Sequence, residues 1–229
     1  MPTEASVLTA QKKALIAHER LQQEYGDLDM HPRRDPMHEL ISTMLSHRTT
    51  HADEEKAYYG MRDRFGSWEN IAQAPVAELA ETIASARFPE AKAPNIQKTI
   101  RLIIANRGEA NIDFLRDLPT EQALKWLMDL PGVGLKTATL VLLFNFHKPV
   151  LPVDTHVHRV TQRLGIIGPK ITADKAHYLL LDMLPQEAKS LFNFHKHFLW
   201  HGQKICVWGS PRCGKCVLKD ICDWYRDNR

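Results

Sequence analysis

The amino-acid sequence predicts an all-α fold. Apolar residues recur at helical spacing in successive segments, no stretch alternates apolar and polar residues between turn pairs, and proline or glycine punctuates the segments. Met37, Leu40, Ile41, Met44 and Leu45 fall at i, i+3, i+4, i+7 and i+8 and predict an amphipathic helix. Ile96, Ile100, Ile103 and Ile104 predict a second, and Leu124, Leu127 and Met128 a third ending at Leu130. The run Ala138 to Phe146 is apolar on almost every side, which predicts a central buried helix. Breaks are expected near Pro32, Pro36, Pro89, Pro119, Pro131, Pro152 and Pro185. These signals add up to about ten helices. Internal repeats and low-complexity tracts are absent from the sequence.

At 229 residues the chain is long enough for one large domain or two small, intimately packed ones. Its composition, 44% hydrophobic and 25% charged, is that of a globular protein. That excludes a disordered tail, a collagen-like repeat and a membrane protein, since no apolar run approaches the roughly 18 to 20 residues of a spanning helix. The N-terminus lacks a basic-then-apolar export signal, so a cytoplasmic location is expected. A net charge of +3 is a mild lean toward polyanions. From residue 196 onward, Lys196, Lys204, Arg212, Lys215, Lys219, Arg226 and Arg229 face only Asp220, Asp223 and Asp227, so this end is either phosphate-facing or a solvated face.

Four cysteines, Cys206, Cys213, Cys216 and Cys222, all lie near the C-terminus. Two disulfides would need an oxidising compartment, and no export signal is present, so one metal or cluster site is the better reading. Thiolates at the spacing C-x6-C-x2-C-x5-C can wrap zinc or an iron–sulfur centre. Paired zinc sites usually carry two short knuckles and this segment has one, so the irregular spacing fits a cluster somewhat better. His197 and His201 stand one turn apart, but no glutamate lies between them to act as a base.

The string Leu130-Pro131-Gly132-Val133-Gly134-Leu135-Lys136-Thr137-Ala138 joins two helices through a glycine turn. It is either a plain helix–helix corner or a phosphate clamp, in which the unpaired N–H groups of the new helix face an anion. Lys136 falls in the first turn of that helix, where a positive charge is unfavourable and a neutral, nucleophilic amine is favoured. A surface lysine that binds phosphate is the plainer alternative. Pro152-Val153-Asp154-Thr155-His156 follows the buried helix. Asp154 reads as an N-cap, or as a carboxylate that stabilises a cationic transition state if it faces Lys136.

Together these motifs, in this order and separation, resemble the endonuclease III-like DNA glycosylase/AP lyases of the helix–hairpin–helix–GPD superfamily, from about residue 30 to the end. The resemblance implies a six-helix barrel domain over 29–148 carrying the helix–hairpin–helix. A smaller iron–sulfur cluster domain would comprise 1–28 and 149–229. It implies base-excision repair of double-stranded DNA containing a damaged base or an abasic site, with oxidised pyrimidines as the lesion class. The damaged nucleotide is flipped into a cleft, Lys136 attacks the sugar, and elimination nicks the strand. Asp154 assists, Cys206, Cys213, Cys216 and Cys222 hold a [4Fe–4S] cluster, and the chain acts as a monomer, nucleoid-associated if bacterial. Residues implied to contact DNA are Gly132, Val133, Gly134, Thr137, His156, Arg212 and Lys215. Two further contacts depart from the family pattern. The segment Leu45-Ser46-His47-Arg48-Thr49-Thr50-His51 stands where the family has LSAQATD, so Arg48 replaces the gap-filling glutamine and His51 an aspartate. Phe88 replaces the wedge leucine of a GLYNSKA-like stretch. A catalytically weak, damage-sensing member of the same fold is the alternative; an adenine- or alkylation-specific glycosylase is argued against by Lys136.

Overall fold

Helix ends in this chain are set by short polar caps and glycines, and the apolar stripes between them set the packing. The computed structural model describes residues 9–32 and 34–228. Residues 1–8 and Arg229 of the basic run lie outside the described residues. Every regular element among the described residues is helical. The periodicity predicts about ten helices, and twelve α-helices with three short 3₁₀ turns are found among the described residues. The surplus comes from pieces too short to show a periodic stripe, such as Trp68–Gln73, Val76–Thr82 and Asp223–Asp227. No helix among the described residues is long and apolar enough to cross a membrane.

The chain divides into two compact units, His31–Lys148 and Met1–Met30 with Pro149–Arg229. The first contains α2 (Pro36–Ser46), α3 (His51–Phe65), α4 (Trp68–Gln73), α5 (Val76–Thr82), α6 (Pro89–Arg107), α7 (Thr120–Met128) and α8 (Leu135–Phe146). Asp35 caps α2 by accepting from the His38 N–H, with Pro36 at the first helical position, where its missing N–H is no loss. Met37, Leu40, Ile41, Met44 and Leu45 are all buried, as their spacing predicts. Helix α8 is buried at ten of its twelve positions and packs against α2 and α7. Helix α6 packs on α4 and α5 and runs through Pro94, where the sequence signals a break only at Pro89. In α7 the buried residues are Ala123 and Leu127 rather than the whole expected stripe, and Met128 is exposed. Met128 lies about 100° around the helix from Leu127 and so leaves the core face.

The second unit contains α1 (Ala10–Tyr25), α9 (Thr155–Leu164), α10 (Ala173–Leu181), α11 (Ala188–Lys204) and α12 (Asp223–Asp227). Helix α11 packs on α9 and α1, with Phe194 and Phe198 stacked at 4.0 Å and fully buried. Lys13, on α1, donates to the Leu164 carbonyl at 3.0 Å and pairs with Asp223 at 2.5 Å, which ties α1 to the end of α9 and the start of α12. Gly165 caps α9 at φ +75°, and a Cβ there would fall 1.8 Å from the Asp223 carboxylate. Glycine alone meets both conditions.

His197 is fully buried on α11, beside the rings of Tyr25 at 5.9 Å and Trp200 at 6.2 Å. Burial, the largest influence, pulls its pKa down to about 4. An unfolded histidine titrates near 6.5, so between those values the unfolded chain binds more protons than the folded one. The stability this group contributes is present above about pH 6.5 and is lost as pH falls toward 4. Calorimetric melting temperatures should therefore decline over that window, each kcal/mol corresponding to roughly 2–4 °C. His197→Phe should make the decline shallower, and an unaltered slope would count against this origin.

Candidate active site

After α7 the chain turns through Pro131 to Gly134. The Val133 N–H donates to the Leu130 carbonyl at 3.1 Å, and the Thr99 hydroxyl of α6 donates to the Pro131 carbonyl at 2.8 Å, so the turn is fixed from within and from the side. Gly132 adopts φ +76°, and a Cβ there would stand 3.0 Å from the Asn95 Cβ and 3.3 Å from the Met44 Cε. Gly134 is different: its φ is −93°, which other residues adopt, and a Cβ there would meet open space. Its role is that of a cap without a side chain. The first intrahelical bond of α8 runs from the Ala138 N–H to the Gly134 carbonyl, so the N–H groups of Leu135, Lys136 and Thr137 precede the ladder. Val133 and the Thr137 side chain are buried, so Thr137 can offer an external partner only its backbone N–H.

Lys136 is half-buried in the first turn of α8, and among the described residues its ammonium has no hydrogen-bond or ion-pair partner. The His47 imidazole is held below its ordinary range, first by burial and then by the positive charges of Lys92, Arg48 and Lys136. The end of α2 and the starts of α6 and α8 thus share one positive field. Arg48 is exposed in a left-handed conformation, φ 55°, and Phe88 is half-exposed at φ 62°. Each left-handed residue stores about 1–2 kcal/mol of strain. The two loops are joined, because the Arg87 N–H donates to the Thr49 hydroxyl at 3.1 Å. Below them lies Lys92, buried, with its ammonium on the Leu45 carbonyl, the His47 carbonyl and the Thr49 hydroxyl.

In the other unit, Asp154 is the N-cap of α9: its Oδ1 accepts from the His156 N–H at 2.9 Å and the Val157 N–H at 2.8 Å. Oδ2 accepts no hydrogen bond among the described residues. The His156 Nδ1 accepts from Arg159 at 3.1 Å. Arg159 is buried and also donates to the carbonyls of Gly202 at 2.7 Å and Cys206 at 3.0 Å. One turn on, Arg163 donates to the carbonyls of Val207 and Trp208, each at 2.8 Å, and to the Cys206 Sγ at 3.4 Å.

Cys206, Cys213, Cys216 and Cys222 line one apolar cavity together with Val160, Leu164, His201 and Trp224. None is disulfide-bonded. Among the described residues no group of three or more His, Cys, Asp or Glu is arranged to hold a single metal ion. Burial pushes the Cys216 thiol up to about 11 and raises Cys213 and Cys222, each also sensing charge on Cys206. Cys216 Sγ lies 3.4 Å from the His201 Nε2, whose Nδ1 is 3.3 Å from the Tyr25 hydroxyl. Arg212 and Lys215 are exposed in the same loop.

The hairpin residues Gly132, Val133, Gly134, Lys136 and Thr137 are therefore contiguous, and Arg48 and Phe88 sit on hydrogen-bonded neighbouring loops of the same unit. Asp154, His156, the cysteines, Arg212 and Lys215 belong to the other unit. Sequence reasoning missed Lys92, Arg159 and Arg163. The sequence signal for the arginine pair is its i, i+4 spacing on α9, and no local pattern marks Lys92.

With this geometry in view, residues 41–186 match the HhH-GPD family, described as HhH-GPD superfamily base excision DNA repair protein. The chain belongs to this superfamily. Within the HhH-GPD proteins it is similar to endonuclease III of Thermotoga maritima, 34% identical over 196 residues that span 86% of each chain. Two solved structures share the fold. A trapped endonuclease III–DNA covalent intermediate in an estranged-adenine complex has a TM-score of 0.81 at 26% identity, covering 95% of this chain and 97% of that one. A non-covalent endonuclease III–DNA complex has a TM-score of 0.80 at 28% identity, covering 96% and 98%.

Gly132 is the residue on which the hairpin geometry of this HhH-GPD protein turns. Gly132→Ala should lower stability by about 1–3 kcal/mol, from the left-handed backbone and the Asn95 contact together. Gly134→Ala, with neither constraint, should melt within about 0.5 kcal/mol of the parent. Equal melting temperatures for the two variants in thermal unfolding would contradict the assignment.

Proposed function

We propose that this chain, a base-excision DNA glycosylase and AP lyase, removes oxidised pyrimidines from double-stranded DNA and nicks the strand by β-elimination, with Lys136 as nucleophile. The observation that carries the reading is the unpaired Lys136 ammonium in the first turn of a helix whose N-terminus is capped only by Gly134. The leading N–H groups of α8 bind a backbone phosphate, and the open space above Gly134 lets that phosphate approach. This contact carries no base information; it sets the register of the strand.

Once its ammonium has released a proton to solvent, the Lys136 amine attacks C1′ of the flipped nucleotide. The glycosidic bond breaks and the base departs with the bonding pair and takes up a proton. The ring oxygen then leaves C1′ with its bonding pair and takes up a proton, while the Lys136 nitrogen's lone pair closes an iminium to the sugar. Removal of the C2′ proton then expels the 3′ phosphate, which completes the nick. Asp154 supports the first step by stabilising positive charge as it develops on the sugar. Support for this role is Oδ2, which is left over after Oδ1 caps α9. Phe88, half-exposed at the start of α6, fills the space left by the flipped nucleotide, and Arg48 meets the orphaned partner base. Exposed Arg212 and Lys215, and His156 at the start of α9, add phosphate contacts.

The four cysteines hold a [4Fe–4S] cluster. The donor set fits such a group: four half-buried thiols line one apolar cavity, and Cys213, Cys216 and Cys222, whose pKa burial raises, need a cationic centre to become thiolates. When bound, the cluster supplies a rigid tie across the loop from Cys206 to Cys222. Arg159 and Arg163 hold the carbonyls at the start of that loop.

Borohydride added during reaction with an abasic duplex should trap a protein–DNA adduct, and Lys136→Gln should abolish it. Adduct formation by that variant at the parental rate would assign the chemistry to another amine. Asp154→Asn keeps an oxygen for the cap, so it should fold and bind DNA while turnover falls about 100-fold or more. The purified protein should be yellow-brown and contain four irons per chain, the stoichiometry of one [4Fe–4S] cluster. Folded, colourless protein with a single zinc would overturn the cluster.

A further inference from the structure

Lys92 is 8% exposed, yet among the described residues no carboxylate neutralises it. Its three N–H donors are matched by three oxygens: the Leu45 carbonyl at 2.5 Å, the His47 carbonyl at 3.0 Å and the Thr49 hydroxyl at 3.0 Å. Two of these belong to the last turn of α2 and the residue after it, where a helix leaves carbonyls unpaired and favours a cation. The third, Thr49, is a junction. It also accepts from the Arg87 N–H at 3.1 Å and donates to the His47 carbonyl at 3.2 Å. The Phe88 carbonyl in turn accepts from the Lys92 N–H at 3.0 Å.

The strained residues fall on this network. Among the described residues, three that are not glycine have positive φ: Arg48, Phe88 and His147. Arg48 sits between His47 and Thr49, both bonded to the Lys92 ammonium. Phe88 sits between Arg87, bonded to Thr49, and the α6 turn that carries Lys92. Left-handed conformations persist in such residues only where the surroundings over-determine them.

We propose that Lys92 is a positioning residue, whose ammonium clamps the end of α2 to the start of α6 and so holds Arg48 and Phe88 as one rigid element that opens the duplex. This rests on the reading of the chain as a base-flipping glycosylase/lyase. A plain cap for α2 would need only the two carbonyl bonds; the Thr49 bond and the link to Arg87 are what extend the contact to the second loop. At neutral pH the amine keeps its proton, burial having lowered its pKa to about 8.

The test uses the full chain with its metal content intact and two readouts. The first is 2-aminopurine fluorescence beside a tetrahydrofuran abasic analogue in a duplex, which reports base unstacking without any chemistry. The second is the borohydride trapping rate on an abasic site in duplex and in single-stranded DNA, the latter needing no opening. Lys92→Met should lose most of the fluorescence rise and trap the duplex about tenfold more slowly, the scale of one lost stacking contact. Its single-strand rate should stay within about twofold of the parent. Thr49→Val, which removes only the junction hydroxyl, should move both readouts in the same direction and covers the case in which Lys92→Met fails to fold. An unchanged fluorescence rise in either folded variant, or equal slowing on both substrates, overturns the proposal. Absence of trapping by the parent protein on both substrates would instead defeat the lyase reading, and the fluorescence arm would still decide the role of Lys92.

Discussion

A helix that is apolar on nearly every face has one place to go, and α8 imposes that constraint on its unit. Ten of its twelve residues are buried, so its axis is surrounded, and its N-terminus reaches the surface only through the Pro131–Gly134 turn. The orphan N–H groups of the first turn and the Lys136 amine are thus delivered together. Neither could be supplied by a helix free to slide or rotate, because a shift of one residue would turn Lys136 by about 100°. The left-handed Gly132, hemmed in by Asn95 and Met44, and the Thr99 bond to Pro131 hold the register. Core packing in this sense is what positions the turn and the first turn of α8.

Around that helix, cations gather where helix ends meet. Lys136 stands at the start of α8, where the field of the helix opposes it, and Lys92 beneath the end of α2, where the field favours it. Among the described residues the first has no partner and the second has three. That contrast separates an ammonium open to a further partner from one already satisfied more sharply than burial does. The strain at Arg48 and Phe88 follows the same logic. Two exposed side chains keep unfavourable backbone angles because their loops are bonded to each other and to a buried ammonium.

The other unit solves a different problem. A loop of four cysteines with little regular structure has few backbone bonds of its own, and α9 supplies them from outside. Arg159 and Arg163, one turn apart, spend their donors on the carbonyls of residues 202 and 206–208. At the other end of the loop, Lys13 and Asp223 secure the start of α12. The cysteine cavity is therefore walled by a helix with its own N-cap at Asp154, so one element organises both the cap carboxylate and the thiol loop.

Much of this was legible in the sequence. The apolar spacing of Met37 to Leu45, the all-round apolar run before Phe146 and the capping position of Asp154 depend on neighbours in sequence, and periodicity and local hydrogen bonding report on those directly. What the sequence could not carry were properties that arise between distant segments. No local pattern marks Lys92, because its burial depends on carbonyls more than forty residues away. Met128 looked like a core residue until the rotation of α7 against α8 turned it outward. The positive φ of Arg48 and Phe88 had no local signal either, since neither residue type prefers it. The sequence by itself determined the all-α class, the apolar stripes of α2, α6 and α8, the cap at Asp154 and the types of reactive group. The tertiary structure decided which cations are paired, which backbones are strained and which glycine is obligatory, because each of these is set by contacts that exist only once remote helices pack.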